Sequence, residues 1–222
     1  MTTAGVMDHD VYFYTRFPFD ERRDLVWKEV CRYLQRFVPR DAAVLDLGAG
    51  YCNFINNIEA SEKHAVDLFS GMEKFAAPGV ATHHRPCTEL ADFLPAGHFD
   101  VAFASNLFEH LTREDLLLTL NQLKTVLRPG GTLIALQPNF RFCYATYFDD
   151  YTHLQIFTDR SLSDLFEMVG FSVTNCQPRF LPVNMKSTLR TPVPGLRWWV
   201  RSYLALPYRP LAGQMLVVAK NH

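Results

Sequence analysis

The first residues whose spacing suggests chemistry are an aspartate and two glycines in the sequence VLDLGAGYCNF, residues 44–54. An apolar run that carries Asp46 stops at Gly48, and Gly50 follows two positions later. The apolar residues are typical of a buried parallel strand, and the glycines permit positive φ and a close approach of the backbone to a ligand. The stretch therefore predicts a strand, a tight turn and the start of a helix, with a small ligand bound on the turn.

Two classes of ligand fit such a turn. A dinucleotide fingerprint, G-x-G-x-x-G, requires a third glycine at position 53, where this chain has asparagine. The alternative pattern, D-x-G-x-G, resembles motif I of the class I S-adenosylmethionine (SAM)-dependent methyltransferases. The resemblance implies an interaction of Asp46 with the SAM ammonium group, and a loop that lies against the methionine arm. Cys52 departs from the pattern, because the family often has a further glycine there. The implied cofactor-binding residues of this loop are Asp46, Gly48, Ala49, Gly50 and Asn53.

Further cofactor residues follow from the same resemblance. Asp67 ends a second apolar strand, about 20 residues beyond Gly48, where an acid accepts hydrogen bonds from a ribose diol. A solvated loop acid is the alternative for Asp67 taken alone. The residues before the fourth strand, 87–89, are implied to lie near the adenine, and those after it near the sulfonium arm. The residues implied in this way are Asp67, Leu68, Thr88, Glu89, Ser105, Asn106 and Leu107.

The segment 138–157, PNFRFCYATYFDDYTHLQIF, is longer than a simple crossover needs, which predicts that the acceptor binds here. Residues 150–158 resemble the D-H-T-H-L-x-F-F-T segment of many small bacterial methyltransferases, some from saccharide-modification pathways. His153 is the leading candidate for a general base, because imidazole titrates near neutrality. A histidine that braces the loop is the alternative. Tyr151 stands where that segment has its first histidine, and it is the second catalytic candidate.

Glu109 and His110 lie about one turn beyond the predicted fourth strand. A role at a helix start or in the core is expected for them at least as much as a role in catalysis. The sequence predicts no metal ligands.

The elements that must position these residues fit one α/β domain. Asp20 predicts the N-cap of a helix over 21–37, and Thr112 and Thr158 predict the caps of two more amphipathic helices. The sequence L-R-P-G-G, residues 127–131, ends the first of these two before an apolar strand and is a further point of resemblance. We expect a Rossmann-like seven-stranded mixed sheet, six strands parallel and the last, inserted strand antiparallel, with helices on both faces.

The chain is expected to form a single domain over 1–222, with two attached segments, an aromatic arm near its start and an insertion over 179–212. The aromatic residues of 8–19 predict either a lid over the cofactor or an arm packed on the core. The insertion is basic and aromatic, which predicts a substrate cap or, through 196–206, a peripheral contact with a membrane. The expected division is an aromatic arm and helix over 1–40, the core over 41–178, the substrate-cap insertion over 179–212 and the last strand over 213–222.

Composition narrows the function further. Lys and Arg total 22 against 23 acids, so the formal net charge is -1, which argues against a nucleic-acid partner. Five cysteines without a C-x-x-C pair favour reduced thiols and a cytoplasmic location. The chain start has neither a basic nor an apolar leader region, and no stretch approaches the roughly 18 apolar residues of a membrane span. The oligomeric state is not predicted.

The resemblance implies a SAM-dependent methyltransferase. We expect methyl transfer to a small-molecule or saccharide acceptor, on oxygen, because the segment 138–157 resembles enzymes with such acceptors. Methylation of nitrogen or carbon on another metabolite is the alternative, as is a SAM-binding module without turnover.

Overall fold

The computed structural model describes residues 10, 11, 15, 17–182 and 195–222. Half of the aromatic arm over 8–19 lies outside these described residues, and so do residues 183–194 of the expected substrate cap. The division of the chain into arm, core, cap and last strand stays a prediction.

A seven-stranded mixed sheet lies at the centre of the described chain. Its strands are β1 (Ala43–Leu47), β2 (Glu62–Val66), β3 (Val80–His83), β4 (Phe99–Ser105), β5 (Leu127–Pro138), β6 (Phe171–Leu181) and β7 (Gln214–Asn221). Their order across the sheet is β3-β2-β1-β4-β5-β7-β6. Strand β7 runs antiparallel to both neighbours, β5 and β6, and the other strands are parallel to one another. The predicted Rossmann-like sheet with an inserted antiparallel last strand is confirmed.

Helices cover both faces of this sheet. They are α1 (Glu21–Leu34), α2 (Asn53–Asn57), α3 (Leu90–Phe93), α4 (Arg113–Val126), α5 (Phe140–Cys143), α6 (Asp159–Met168) and α7 (Leu196–Ala205). Helices α1, α2 and α7 pack with Val44 of β1 in one apolar core. Helices α3, α4 and α6 pack with Leu45, the next residue of that strand, in the other. Successive side chains of a strand point to opposite faces, so β1 contributes to both cores.

The predicted helix caps are present. The Asp20 carboxylate accepts a hydrogen bond from the Arg22 amide at the start of α1, and Thr112 and Thr158 cap α4 and α6. The predicted end of the first helix at position 37 was wrong, because α1 ends at Leu34 and continues as a single 3-10 turn. Strand β6 extends to Leu181, where it remains paired with β7.

Helix α7 is fixed to α1 by a buried carboxylate. Glu29 is 2% exposed, and its two oxygens accept hydrogen bonds from Arg197 Nε at 2.8 Å and Arg201 Nε at 2.9 Å. Trp198 and Trp199 lie on the same helix and are exposed. Arg197 and Arg201, two of the basic residues of the insertion, therefore already have a partner within the chain. Among the described helices, none combines the length and the apolar character needed to cross a membrane.

Candidate cofactor and acceptor site

A cavity of about 610 Å³ opens at the carboxyl ends of the parallel strands. The turns that follow β1, β2 and β4 line it, together with residues 85–88 after β3. It lies where the chain turns from β1 toward β2 on one side and toward β4 on the other, which is the point at which open α/β sheets bind ligands.

The turn after β1 brings backbone close to the cavity. Gly48 has φ +65°, and a Cβ added there would lie 3.1 Å from Leu107 Cδ1. Gly50 also has positive φ. The Gly48 amide donates to the Val66 carbonyl at 2.9 Å, which ties the turn to the end of β2. A side chain at position 48 would be strained and would fill the space that the turn leaves for a ligand.

Asp67 is oriented by two backbone amides. Its carboxylate accepts hydrogen bonds from the Gly50 amide at 2.7 Å and from the Phe69 amide at 2.8 Å. These bonds hold the acid of the second strand against the turn of the first. Gly50 and Asp67, both predicted as cofactor residues, therefore lie together, and the Asp67 carboxylate is at the cavity wall.

Asp46 is buried beneath the same turn. It is 3% exposed, and its Oδ2 atom has no hydrogen-bond partner within the described part of the chain. Burial raises the pKa of the Asp46 carboxyl well above its usual range, and the neighbouring Asp67 carboxylate raises it further. A buried carboxylate oxygen without a partner fits a ligand that brings a cationic or N–H group, such as the SAM ammonium.

Cys52 occupies the position at which the family often has glycine. It precedes α2 in the left-handed region, with φ 57°, and its side chain is buried. Burial raises the pKa of the Cys52 thiol to about 12, and the carboxylates of Asp46 and Asp67 contribute to that rise. The backbone therefore keeps the glycine conformation although the residue has a side chain.

The cofactor residues predicted from the sequence lie together. All of them line the cavity except Glu89, whose carboxylate pairs with Arg85 at 3.0 Å. Sequence reasoning named the segment 87–89 but did not single out Cys87, which also lines the cavity and contacts the Thr119 hydroxyl at 3.4 Å. Burial raises the pKa of the Cys87 thiol.

An aromatic wall closes the cavity on the side of α1, and of its residues only those of the aromatic arm were singled out from the sequence. Phe54 and Phe103 stack with ring centroids 3.8 Å apart, and Trp27 meets Phe103 edge to face. All three line the cavity, as does Phe17 from the aromatic arm. Asp10, also in the arm, accepts a hydrogen bond from the Ser70 amide at 3.0 Å. The described part of the arm thus lies against the cofactor loop.

The opposite end of the cavity is formed by the loop predicted to bind the acceptor. Tyr151, Thr152 and Leu154 line it, and Tyr151 is 94% exposed. His153 is not among the residues that line the cavity, and its Nδ1 atom lies 2.7 Å from the Tyr147 carbonyl oxygen. Its ring centroid lies 4.9 Å from that of His110, which does line the cavity. His153 therefore makes a contact that braces the loop, and it also lies beside a residue that lines the cavity.

Glu109 and His110 lie next to this end of the cavity. From the sequence, a role at a helix start or in the core was expected for them at least as much as a role in catalysis. Glu109 is fully buried, and neither carboxylate oxygen has a hydrogen-bond partner among the described residues. Its Oε1 atom lies 4.0 Å from His110 Nε2. Burial raises the pKa of Glu109 to about 8, and the Asp150 carboxylate adds to the rise. The combination of an acid and a histidine directly after β4 is the signal that could have identified them.

The predicted substrate cap is placed only in part. None of the described residues in 179–182 and 195–212 lines the cavity. Residues 183–194 lie outside the described part of the chain, so the role of the insertion as a cap stays a prediction.

Comparisons with known proteins agree with this geometry. A family described as "Methyltransferase domain" matches residues 19–175. Alpha N-terminal protein methyltransferase 1 of Arabidopsis thaliana is 30% identical over 102 residues, which cover 40% of this chain and 37% of that protein. Phosphoethanolamine N-methyltransferase of Plasmodium falciparum is 27% identical over 101 residues, covering 42% of this chain and 38% of that protein. The matched region spans less than two fifths of either relative.

Solved structures resemble the whole chain. A SAM-dependent methyltransferase from Archaeoglobus fulgidus superposes over 96% of this chain and 100% of its own length, with a TM-score of 0.64 and 20% identity. At this identity the likeness concerns the fold.

Proposed function

Because this chain belongs to the methyltransferase domain family, we propose that it transfers a methyl group from SAM to an oxygen atom of a small-molecule or saccharide acceptor. The observation that carries the proposal is the shared cavity. One end has the glycine turn with the carboxylates of Asp46 and Asp67, and at the other His110 borders the cavity, with ligand atoms of Glu109 and His153 within 4.8 Å of its own. The first end would hold the methyl donor, and the second would remove a proton from the acceptor.

The cofactor residues have separate tasks. Asp67 would accept hydrogen bonds from the ribose hydroxyls, and buried Asp46 would interact with the ammonium group. Thr88 and Leu68 would lie near the adenine side, and Ser105, Asn106 and Leu107 near the sulfonium side. The glycine turn would leave room for the methionine arm.

When bound, SAM supplies a methyl group that is already electrophilic. The chain must then align the acceptor, exclude water and take a proton from a hydroxyl acceptor. Trp27, Phe54 and Phe103 provide an apolar wall that keeps water out. His153 remains the proposed proton acceptor, since donation from Nδ1 to the Tyr147 carbonyl leaves the lone pair on Nε2. Tyr151 is proposed to contact the acceptor through its hydroxyl.

Methylation of nitrogen is the second candidate, and it is favoured by the names of the two curated relatives, which act on an α-amino terminus and on phosphoethanolamine. An amine acceptor needs a base only to remain neutral, so a nitrogen methyltransferase would depend less on His153. Methylation of carbon and a SAM-binding module without turnover are the remaining alternatives. Cys52 in the glycine position keeps the last of these open.

The first experiment is calorimetric titration of the purified protein with SAM and, separately, with NAD. We expect micromolar SAM binding and no NAD binding. Product formation is then screened with saccharide, hydroxylated and amine acceptors and detected as S-adenosylhomocysteine. SAM binding without product from any acceptor class would favour the binding module, and an absence of SAM binding would contradict the proposal.

A peripheral membrane contact through 196–206 and a cytoplasmic location also remain proposals. Trp198 and Trp199 support the first because both are exposed on α7, and the five free thiols support the second. Sedimentation with anionic vesicles tests the contact. We expect wild type to sediment and the double variant Trp198→Ala/Trp199→Ala to remain in the supernatant; equal behaviour of the two proteins would exclude α7 as the contact.

A further inference from the structure

Glu109, His110 and His153 form a cluster whose three ligand atoms all lie within 4.8 Å of one another. Glu109 reaches it from the turn after β4, and His153 from the loop 138–157, whose Leu154 amide donates to the Glu109 carbonyl at 2.7 Å. The Glu109 side chain is fully buried, and both its oxygens lack hydrogen-bond partners among the described residues. A buried carboxylate without partners is costly unless a cation lies beside it.

The hydrogen bonds around His110 determine which of its nitrogens has the lone pair. The Thr152 hydroxyl donates its single hydrogen to Asp150 Oδ1 at 2.7 Å. Its oxygen must then accept from His110 Nδ1, which lies 2.8 Å away. Nδ1 of His110 therefore has the hydrogen, and the lone pair is on Nε2, the atom 4.0 Å from Glu109 Oε1.

His153 has the same arrangement. Its Nδ1 atom lies 2.7 Å from the Tyr147 carbonyl oxygen, which can only accept, so the lone pair is again on Nε2. The Tyr147 hydroxyl donates to the Gln155 carbonyl, and its ring lies against the imidazole at 4.5 Å, which fixes the orientation. Histidines that bind metals almost always donate their second N–H to a carbonyl, carboxylate or other acceptor in this way.

We propose that Glu109, His110 and His153 bind one divalent transition-metal ion of the Zn²⁺, Mn²⁺ or Fe²⁺ type. Two imidazoles and one carboxylate suit such ions better than Mg²⁺ or Ca²⁺, which prefer oxygen ligands. Bonds of about 2.0–2.2 Å would draw the three side chains together from their present separation. Three protein ligands leave further coordination positions for an acceptor, and His110 borders the cavity.

The proposed ion deepens the proposed function, on which it rests, and specifies the acceptor class. Adjacent open positions favour an acceptor with two neighbouring hydroxyl groups. Binding to the ion would lower the pKa of one hydroxyl, which would lose its proton to solvent. The resulting oxygen lone pair would form the new C–O bond while the C–S bond breaks and its electrons remain on sulfur. With the ion bound, the two histidines would serve as ligands, and for His153 this role would replace the role of proton acceptor proposed for the metal-free protein.

Chelator-treated full-length protein, titrated with ZnCl₂ in a calorimeter, tests the site. We expect one ion per chain, with binding weakened by more than about 100-fold in Glu109→Gln and in His153→Ala. Thr152→Val removes the hydroxyl that accepts from His110 Nδ1, and leaves that atom only the Thr152 carbonyl oxygen at 3.3 Å, without removing a ligand. We therefore expect a smaller loss of roughly 10–100-fold. Co²⁺ absorption provides a second measurement, and Thr152→Val remains informative if a ligand variant does not fold.

The matched control is His98→Ala. His98 belongs to a separate group at the amino ends of β2 and β4, where its Nε2 atom contacts Glu62 at 2.9 Å and Glu62 also contacts His64. We expect unchanged Zn²⁺ stoichiometry in this variant. Loss of binding in His98→Ala, or equal binding by wild type and Glu109→Gln, would overturn the inference.

Parallel SAM titrations separate the two proposals. SAM binding that is equal in wild type and Glu109→Gln, together with loss of Zn²⁺ only in the variant, supports both. SAM binding without Zn²⁺ binding removes the metal site alone. Zn²⁺ binding without SAM binding in wild type removes the methyltransferase proposal and leaves the metal site.

Discussion

The two ends of the cavity are built in different ways. At the cofactor end, backbone groups at strand ends orient short carboxylates, as in the two amides that hold Asp67. At the acceptor end, Glu109 and His153 are separated by a long stretch of chain and meet only because the loop 138–157 folds back onto the turn after β4. The first end follows from the sheet itself, while the second depends on the conformation of one loop. The acceptor end is therefore where related folds can change their chemistry.

The largest effect should follow from His153→Ala. Under either proposed role, as proton acceptor or as ligand, its loss should lower turnover by about 100-fold or more, because positioned proton removal contributes roughly 10²–10⁴-fold. SAM affinity should remain within about twofold, since His153 does not line the cavity and lies beside His110, away from the glycine turn. Steady-state kinetics and calorimetry measure the two quantities, with His98→Ala as the control. Wild-type turnover in His153→Ala would contradict both proposed roles of His153.

The next effect is expected at the cofactor end. Asp67→Ala should weaken SAM binding by about 1–3 kcal/mol, through loss of charge-assisted bonds to the ribose. Turnover at saturating SAM should fall much less than in His153→Ala. Calorimetry with Asp92→Ala, an exposed acid on α3, provides the comparison. Unchanged SAM affinity in Asp67→Ala would remove the ribose assignment.

A smaller effect, of opposite sign, is expected for the stability of the unliganded protein in Asp46→Asn. The folded pKa of Asp46 is raised, so the folded state favours the neutral acid, and wild type loses stability as pH rises from about 4 toward the raised pKa. Asparagine has no such loss. At pH 7 the variant should be more stable by about 1–2 kcal/mol, or roughly 2–8 °C in Tm.

Thermal melts from pH 4 to pH 8 measure this difference, which should grow with pH. Saturating SAM should reverse the order, because only the wild-type carboxylate can pair with the ammonium group. A variant that is less stable than wild type throughout the pH range would indicate that Asp46 has a structural partner.

The smallest effect is expected for Tyr151→Phe. The residue is almost fully exposed, and loss of one hydroxyl contact corresponds to about 0.5–1.5 kcal/mol. The KM for the acceptor should rise by roughly 2–10-fold, with SAM affinity unchanged. A loss as large as that of His153→Ala would make Tyr151 the catalytic residue in its place.

Most of the fold could be predicted from the sequence, because its signals are local. Asp20, Thr112 and Thr158 cap helices through their own neighbours, and the apolar runs of β1 and β4 are buried on both faces as parallel strands require. The end of β6 could not be predicted in this way. Its extension to Leu181 depends on pairing with β7, more than thirty residues later in the chain.

The positions of most candidate cofactor residues could be predicted for the same reason. Asp46, Gly48 and Asp67 lie at strand ends, so a spacing in sequence becomes a position in space. Glu89 is the exception among the predicted cofactor residues. Its side chain pairs with Arg85, and it does not line the cavity. Glu109 and His110 were expected as much in the core as in catalysis, and only the return of His153 through a long loop gives them a shared chemistry.

The thiol of Cys87 in the cavity wall has a consequence for chemical selectivity. A bound methyl donor is an alkylating agent, and a cysteine beside it is a competing acceptor. The thiolate, and not the thiol, is the strong nucleophile. Because burial raises the pKa of Cys87, its sulfur stays protonated at neutral pH. A protonated Cys87, which the resemblance places on the adenine side of the cavity, would therefore not compete with the intended acceptor for the methyl group.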